Sequence, residues 1–175
     1  MNSNTSILII GDVMLDQYVS GSVSRISPEA PVPVLKVEKE WSTLGGAANV
    51  AANVASLGAK AVLVGLVGDD SSSALIQEKC VEQKIEQHLV KSSQPTITKT
   101  RIVSGHQIVR VDREEKLVWS DAQLAELAAN LERLILASDI VLLSDYAKGT
   151  LSNQVLSLVF DLAKRAEKRI LVDPK

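Results

Sequence analysis

The 175-residue chain has little cysteine, few aromatic residues and no long apolar run. Its one cysteine, Cys80, excludes an intrachain disulfide and a four-cysteine metal site, and is typical of a reducing compartment. No apolar segment approaches the roughly 18 residues of a membrane span, and residues 1–6 lack the basic and apolar regions of a signal peptide. We therefore expect a soluble, cytoplasmic protein that neither crosses nor binds a membrane.

An excess of one charge is also missing, because 19 Lys and Arg residues are balanced by 21 Asp and Glu residues. The two signs are interspersed and leave no basic stripe for a nucleic acid. The Gly-Lys-Ser/Thr of a P-loop and the Gly-x-Gly-x-x-Gly of a dinucleotide-binding turn are both absent. His88 and His106 stand alone, so no metal-ligand spacing occurs. These absences argue against nucleic-acid-binding, P-loop, dinucleotide-binding and zinc proteins.

What the chain has in quantity is Val, Leu, Ile and Ala, within a hydrophobic content of 46%. This composition is typical of helices packed on a largely parallel sheet, and the length suits one domain. Strands are predicted at 6–11, 61–67, 86–90, 140–144 and 170–172, and helices at 46–57, 70–84, 120–137 and 151–168. The sequence therefore predicts an α/β fold with a mainly parallel sheet flanked by helices.

Two further segments, 17–41 and 96–113, have the composition of β structure outside that sheet. The first is broken by glycine and proline, and the second alternates and turns near Gly105, as a hairpin does. Because both interrupt the βα alternation in the same way, we expect them to pair into one small sheet. We predict that this sheet forms a lid over the mouth of a site.

The candidate site begins where the first strand ends, at Gly11-Asp12 and Asp16. Carboxylates accept hydrogen bonds from sugar hydroxyls, and Asn49 can both donate and accept them. The pair Gly45-Gly46 would let a ligand approach the backbone. The alternatives are a simple turn at Asp12, close packing at the two glycines, and a helix cap at Asn49. Together these residues favour a site for a polyhydroxylated small molecule.

The same residues resemble a known family. The stretches 44–51 and 64–70 are similar to the first signature of the ribokinase-like, or phosphofructokinase B, carbohydrate kinases. A closer resemblance, carried by 11–16, 24–34, 95–99 and 144–149, is to the N-terminal kinase domains of bifunctional heptose-7-phosphate kinase/heptose-1-phosphate adenylyltransferases. The block 24–34 is the most specific part. The resemblance covers essentially the whole chain, so residues 1–175 are expected to form the N-terminal portion of such a kinase domain.

The resemblance implies transfer of the ATP γ-phosphoryl group to O1 of D-glycero-D-manno-heptose 7-phosphate, in the synthesis of ADP-heptose for lipopolysaccharide. It implies ATP and Mg²⁺ as cofactors, a phosphosugar as substrate, and a homodimer formed through the lid. Family members continue past the position of Lys175, and their later residues carry the catalytic base and most of the nucleotide site. We therefore expect no catalytic or metal-binding residue in this chain, and no activity from it alone.

The resemblance also points to cationic side chains that could hold the substrate's phosphate. Lys99 and Arg101 are two residues apart on a predicted strand and so share a face. An Arg side chain can bind a phosphate through two parallel hydrogen bonds. The candidates, each with ordinary surface charge or a salt bridge as its alternative, are Arg25, Lys99, Arg101, Arg110 and Lys148. Arg113 and Glu114 are interpreted as surface residues.

Two alternative functions stay open. The chain could belong to another ribokinase-like sugar kinase, which the phosphosugar that stabilises the protein would reveal. It could also act as a non-catalytic module that binds a sugar phosphate or forms dimers.

Overall fold

The structure is a computed structural model that describes residues 5–175, so most of the segment considered above for a signal peptide lies outside the described residues. Within this range, strands and helices alternate around one large sheet and a second, smaller one. In chain order the elements are β1 Ser6–Gly11, β2 Val13–Ile26, β3 Pro33–Gly46, α1 Ala47–Ser56, β4 Lys60–Gly68, α2 Ser71–Glu82, β5 Glu86–Ser92, β6 Ile97–Ser104, β7 His106–Arg113, α3 Asp121–Leu136, β8 Ile140–Ser144, α4 Asn153–Arg165 and β9 Arg169–Asp173.

The large sheet is parallel throughout, in the order β5-β4-β1-β8-β9. Its central strand, β1, is buried along its whole length. Leu8 and Ile10 belong to the apolar cluster that includes α3 and α4, whereas Ile7 and Ile9 belong to the cluster that includes α1 and α2. Because both faces are covered by helices, the strand reads as a continuous apolar run. The predicted α/β fold with a mainly parallel sheet is confirmed.

The small sheet has the order β3-β2-β6-β7, so segments 17–41 and 96–113 do pair with each other. Its strands β2 and β3 are longer than the sequence predicts, since their antiparallel ladder continues to the pair Val13–Gly46. Asp16, Gly45 and Gly46 are therefore strand residues of this sheet, whereas the sequence placed the two glycines at the start of a helix. The backbone pairing extends into the motif because two neighbouring strands satisfy each other's N–H and C=O groups.

The helix boundaries follow from their caps. Asp70 caps α2, and Ser120 with Gln123 forms the predicted capping box of α3. α4 begins two residues later than predicted because the Ser152 hydroxyl accepts a hydrogen bond from the Val155 N–H. It ends at Arg165 rather than 168, and the chain turns at Glu167, where φ is +53°. None of the helices in the described part of the chain has the length and hydropathy needed to span a bilayer.

Candidate functional site

The register of the small sheet places four of the predicted site residues, Asp16, Lys99, Arg101 and Arg110, on one face. Asp16 pairs with Thr43 on one side and with Lys99 on the other, and Lys99 pairs with Asp112. Residues two positions along a strand share a face. The next row on this face is therefore Trp41, Tyr18, Arg101 and Arg110. We call this surface the charged face of the small sheet; its two rows are 43-16-99-112 and 41-18-101-110.

An ion pair between Asp16 and Arg101 lies at the centre of the charged face. Arg101 Nη1 donates to Asp16 Oδ1 over 2.5 Å, and both side chains are largely buried, with 25% and 20% of their surface exposed. The hydrogen bond that Arg101 donates to Asp16 raises the pKa of Arg101 above its ordinary value. The pair leaves Asp16 Oδ2 outside this hydrogen bond, so a ligand hydroxyl can donate to it.

Two stacked aromatic rings lie next to Arg101. The ring centroids of Tyr18 and Trp41 are 4.9 Å apart, and the ring planes are nearly parallel, with an interplanar angle of 4°. Arg101 Cζ lies 5.4 Å from the Tyr18 ring centre, and Lys39 Nζ lies 5.3 Å from the Trp41 ring. This alternation of cations and rings holds the guanidinium in place. Sequence reasoning missed the stack, because the two rings meet only in the register of β2 and β3.

Gly45 and Gly46 allow the backbone to pass close to both predicted carboxylate residues. A Cβ at Gly45 would lie 2.6 Å from Asp16 Oδ2, and one at Gly46 would lie 2.2 Å from the Asp12 carbonyl oxygen. Gly46 also has φ +55°, which glycine adopts without strain. It is the N-cap residue of α1, so Asn49 is not that cap; Asn49 is exposed in the first turn of the helix. Both glycines are thus closely packed against residues of β2, and their contact with a sugar stays a prediction.

Asp12 has a different environment from Asp16, since its side chain is completely buried. Its Oδ2 accepts hydrogen bonds from the backbone N–H groups of Tyr146 and Lys148 over 2.9 and 3.0 Å. Its Oδ1 accepts one from Thr150 N–H over 3.0 Å. Asp12 thus anchors the loop between β8 and α4. A direct contact between Asp12 and a sugar requires this loop to open.

Trp119 also forms a hydrogen bond with the loop between β8 and α4. Its indole Nε1 donates to the Thr150 carbonyl over 2.8 Å, and the ring is buried. A cleft of about 500 Å³ opens beside the indole, with Asp145, Asn153 and Gln154 among its lining residues. In residues 5–175 no group of three or more His, Cys, Asp or Glu side chains is arranged to hold a metal ion.

Lys148, at the middle of that loop, is paired with a residue that the sequence had suggested was merely surface. Lys148 Nζ lies 2.8 Å from Glu114 Oε1, and Lys99 Nζ lies 3.3 Å from Glu114 Oε2. Lys148 is the main reason why the pKa of Glu114 lies below its ordinary value, and Lys99 adds to the effect. Glu114 therefore connects the small sheet to the large one, a tertiary contact that no local pattern indicates.

The other two predicted cations stand apart. Arg110, half-exposed on the edge strand β7, pairs with Asp112 over 2.8 Å. Arg25 is exposed near the far end of β2 and forms no ion pair with any residue that the structure describes. The structure brings Asp16, Lys99, Arg101 and Lys148 toward one region and leaves Arg25 outside it.

The fold is that of the sugar kinases with known structures. The chain superposes on phosphofructokinase-2 from Escherichia coli in complex with fructose-6-phosphate, with a TM-score of 0.72, 17% sequence identity, and coverage of 98% of this chain and 55% of the other. It superposes on Arabidopsis thaliana ribokinase, complexed with ribose and ATP, with a TM-score of 0.63, 18% identity, and coverage of 97% and 53%. The chain thus has a ribokinase-like fold, as predicted.

Sequence comparison identifies the family. Residues 4–175 match the model of the pfkB family carbohydrate kinases. The chain is 51% identical over 173 residues to the bifunctional protein HldE of Caulobacter vibrioides. This match covers 97% of the present chain and 35% of the Caulobacter protein. It is 47% identical over 173 residues to HldE of Azorhizobium caulinodans, with coverage of 97% and 36%. The chain belongs to the pfkB family of carbohydrate kinases, and it spans about a third of the length of these curated relatives.

Proposed function

We propose that this chain is the sugar-binding portion of a kinase that phosphorylates D-glycero-D-manno-heptose 7-phosphate at O1, in the synthesis of ADP-heptose. The observation that carries the proposal is the 51% identity with a bifunctional HldE protein over nearly the whole chain. We extend this similarity from the fold to the sugar site, whose residues are tested below. The resemblance of 11–16 and 24–34 to heptose-7-phosphate kinases supports this choice of substrate.

In this proposal Asp16 accepts hydrogen bonds from sugar hydroxyls through Oδ2, while Arg101 holds its other oxygen in place. Gly45 leaves the space in which that carboxylate lies. Asn49 provides a further polar group at the start of α1. Lys99, Arg101, Arg110 and Lys148 supply positive charge for the phosphate of the substrate. Arg25, near the far end of β2, is a fifth candidate that lies apart from these four.

ATP with Mg²⁺ is the proposed phosphoryl donor of the whole protein. The described residues offer no group of carboxylates for the metal ion, so none of them is assigned to it. What this chain contributes is positioning of the acceptor sugar and compensation of its negative charge, which are the main parts of catalysis in phosphoryl transfer.

The test is calorimetry with heptose 7-phosphate on the whole protein and its Asp16→Ala variant. We expect the variant to lose measurable binding of the sugar phosphate while its affinity for ATP stays near normal, because Asp16 faces only the acceptor. Asp121→Ala, a change of the same kind at the exposed start of α3, is the control. Unchanged sugar affinity in Asp16→Ala would remove Asp16 from the site.

The same titration separates the proposed substrate from those of other kinases in the family. Fructose 6-phosphate and ribose are tested beside heptose 7-phosphate, with the melting temperature as readout, because a ligand stabilises the state that it binds. A larger rise with either of these sugars than with heptose 7-phosphate would assign the chain to another sugar kinase. Binding without phosphoryl transfer by the whole protein would favour a non-catalytic module.

We further propose a homodimer formed through the small sheet. The face opposite the charged face carries Val109 and Val111 on β7, with 45% and 40% of their surface exposed. Apolar side chains grouped on a sheet face are typical of a protein interface. A cytoplasmic location, which the substrate and ATP both require, is part of the same proposal.

A further inference from the structure

Glu114 holds together two lysines that belong to different parts of the molecule. Lys99 is on β6 of the small sheet, and Lys148 is in the loop that follows β8 of the large sheet. Each of the two carboxylate oxygens of Glu114 forms an ion pair with one of these lysines. The distance is 2.8 Å to Lys148 Nζ and 3.3 Å to Lys99 Nζ. The side chains of Lys99 and Lys148 are only 16% and 21% exposed, and their two ammonium groups meet at the carboxylate of Glu114.

This arrangement differs from an ordinary surface ion pair. Lysines repel each other, and two ammonium groups converge only where an anion lies between them. Asp112 also contacts Lys99, at 3.3 Å, but it is shared with Arg110 and does not reach Lys148. Glu114 is thus the one described carboxylate that bridges both lysines, and a third of its side chain is exposed to solvent.

A phosphoryl group could interact with Lys99 and Lys148 in the same way as the Glu114 carboxylate does. It is anionic, it has several acceptor oxygens, and lysine ammonium groups bind it as point charges. It would also repel the Glu114 carboxylate, because two anions cannot share one cation pair without loss of stability. Glu114 lies just beyond the end of β7, so its side chain can move away without disturbing the ladder between β6 and β7.

We infer that Lys99 and Lys148 form a phosphoryl-binding subsite that Glu114 occupies in the absence of ligand, and that a phosphate monoester binds by displacing this carboxylate. Glu114 acts as an internal competitor, so it lowers the affinity for phosphate and releases the contact between the two sheets when phosphate arrives. The inference rests on the proposed function only for the identity of the molecule that carries the phosphoryl group.

The test uses the whole protein and inorganic phosphate at constant ionic strength, with binding followed by nuclear magnetic resonance. We expect Glu114→Gln to bind phosphate more tightly by roughly 3- to 10-fold, the range that loss of two partly exposed ion pairs can produce. Glu115→Gln removes the same charge from the neighbouring exposed residue and is the matched control. It should change the affinity by less than about 2-fold, as expected for a screened charge without a direct contact.

Glu114→Asp gives a second test in case the glutamine variant unfolds. It keeps the charge, but its shorter side chain cannot reach both lysines, so its phosphate affinity should lie between those of wild type and Glu114→Gln. Lys148→Gln should weaken phosphate binding both in the wild-type protein and in the Glu114→Gln variant. The inference is wrong if Glu114→Gln and Glu115→Gln have the same effect, or if no variant binds phosphate.

Heptose 7-phosphate and the unphosphorylated heptose separate this inference from the proposed function. If Glu114→Gln improves binding of the phosphorylated sugar alone, both stand. If it improves binding of inorganic phosphate while neither sugar binds, the subsite stands and the proposed substrate is wrong. If the phosphorylated sugar binds wild type and Glu114→Gln equally well, the proposed substrate stands and the role of Glu114 is overturned.

Discussion

The carboxylate of Asp12 accepts a hydrogen bond over 3.0 Å from the backbone N–H of Thr150, which is 138 positions further along the chain. With the bonds from Tyr146 and Lys148, it satisfies three backbone donors of one loop. The Thr150 carbonyl in turn accepts a bond from Trp119. Asp12 therefore determines the conformation of the loop that presents Lys148 to Glu114.

We predict that Asp12→Asn destabilises the protein by about 2–3 kcal/mol, because the amide group would turn a donor toward backbone N–H groups that have no other acceptor. Chemical denaturation measures the change. Asp145→Asn is the control in the same loop, since among residues 5–175 Asp145 accepts a single N–H, from Ala147. It should cost no more than about 1 kcal/mol.

The fluorescence of Trp119 reports whether the loop itself is altered in Asp12→Asn. In a Trp41→Phe background Trp119 is the sole tryptophan. Its emission should shift to the red as the loop opens and water reaches the indole. Unchanged stability and unchanged emission together would contradict the anchoring role of Asp12.

Gly46→Ala and Gly58→Ala form a matched pair, because both glycines have positive φ, +55° and +86°. A Cβ at Gly46 would lie 2.2 Å from the Asp12 carbonyl oxygen, whereas one at Gly58 has no atom within 4 Å. We expect Gly58→Ala to cost about 1 kcal/mol from backbone strain alone, and Gly46→Ala at least about 3 kcal/mol. Equal losses in thermal or chemical unfolding would show that close packing at Gly46 is unimportant.

Asp70 should make stability depend on pH in the acid range. Partial burial opposes its ionisation, but the hydrogen bonds from Thr96 and Ser73 hold its pKa below the ordinary value. Because the pKa is depressed in the folded state, the stabilisation is present above the unfolded pKa of about 4 and is lost as the pH falls through the lower folded value.

The measurement is the free energy of unfolding between about pH 6 and pH 3. Asp70→Asn should lower stability at pH 6 and flatten the acid part of the curve, so that its curve and the wild-type curve converge at low pH. Asp69→Asn, a change in an exposed side chain that pairs with Lys91, is the control and should leave the slope nearly unchanged. A wild-type slope retained in Asp70→Asn would assign the acid sensitivity to other carboxylates.

Val111→Glu tests the proposed dimer. A charge at this half-exposed position of β7 would be buried in the interface, so light scattering should give half the wild-type mass. Leu57→Glu introduces the same charge at an exposed position, 63% accessible, at the end of α1, and should leave the mass unchanged. A monomeric wild type, or a Val111→Glu variant of wild-type mass, would refute a dimer through this sheet.

Much of the fold could be predicted because its signals are local. The apolar run 7–10 indicates a buried strand whatever it packs against, and the caps at Asp70 and Ser120 depend on residues three positions away. The boundaries of β2 and β3 were predicted less well. Their extra length comes from pairing between Val13 and Gly46, which are far apart in the chain.

The α/β architecture, the family and the residue types available for a sugar site can all be inferred without a structure, since periodicity, caps and motif spacing are properties of short segments. The contacts that these residues make depend on how distant segments pack together. Asp12 and Asp16 look alike in sequence, yet one is buried against backbone N–H groups and the other faces Arg101. Glu114 showed no signal at all, because its importance comes from two lysines on separate elements. Hydrogen bonds and ion pairs between distant segments depend on the register and packing of whole sheets, which no local pattern specifies.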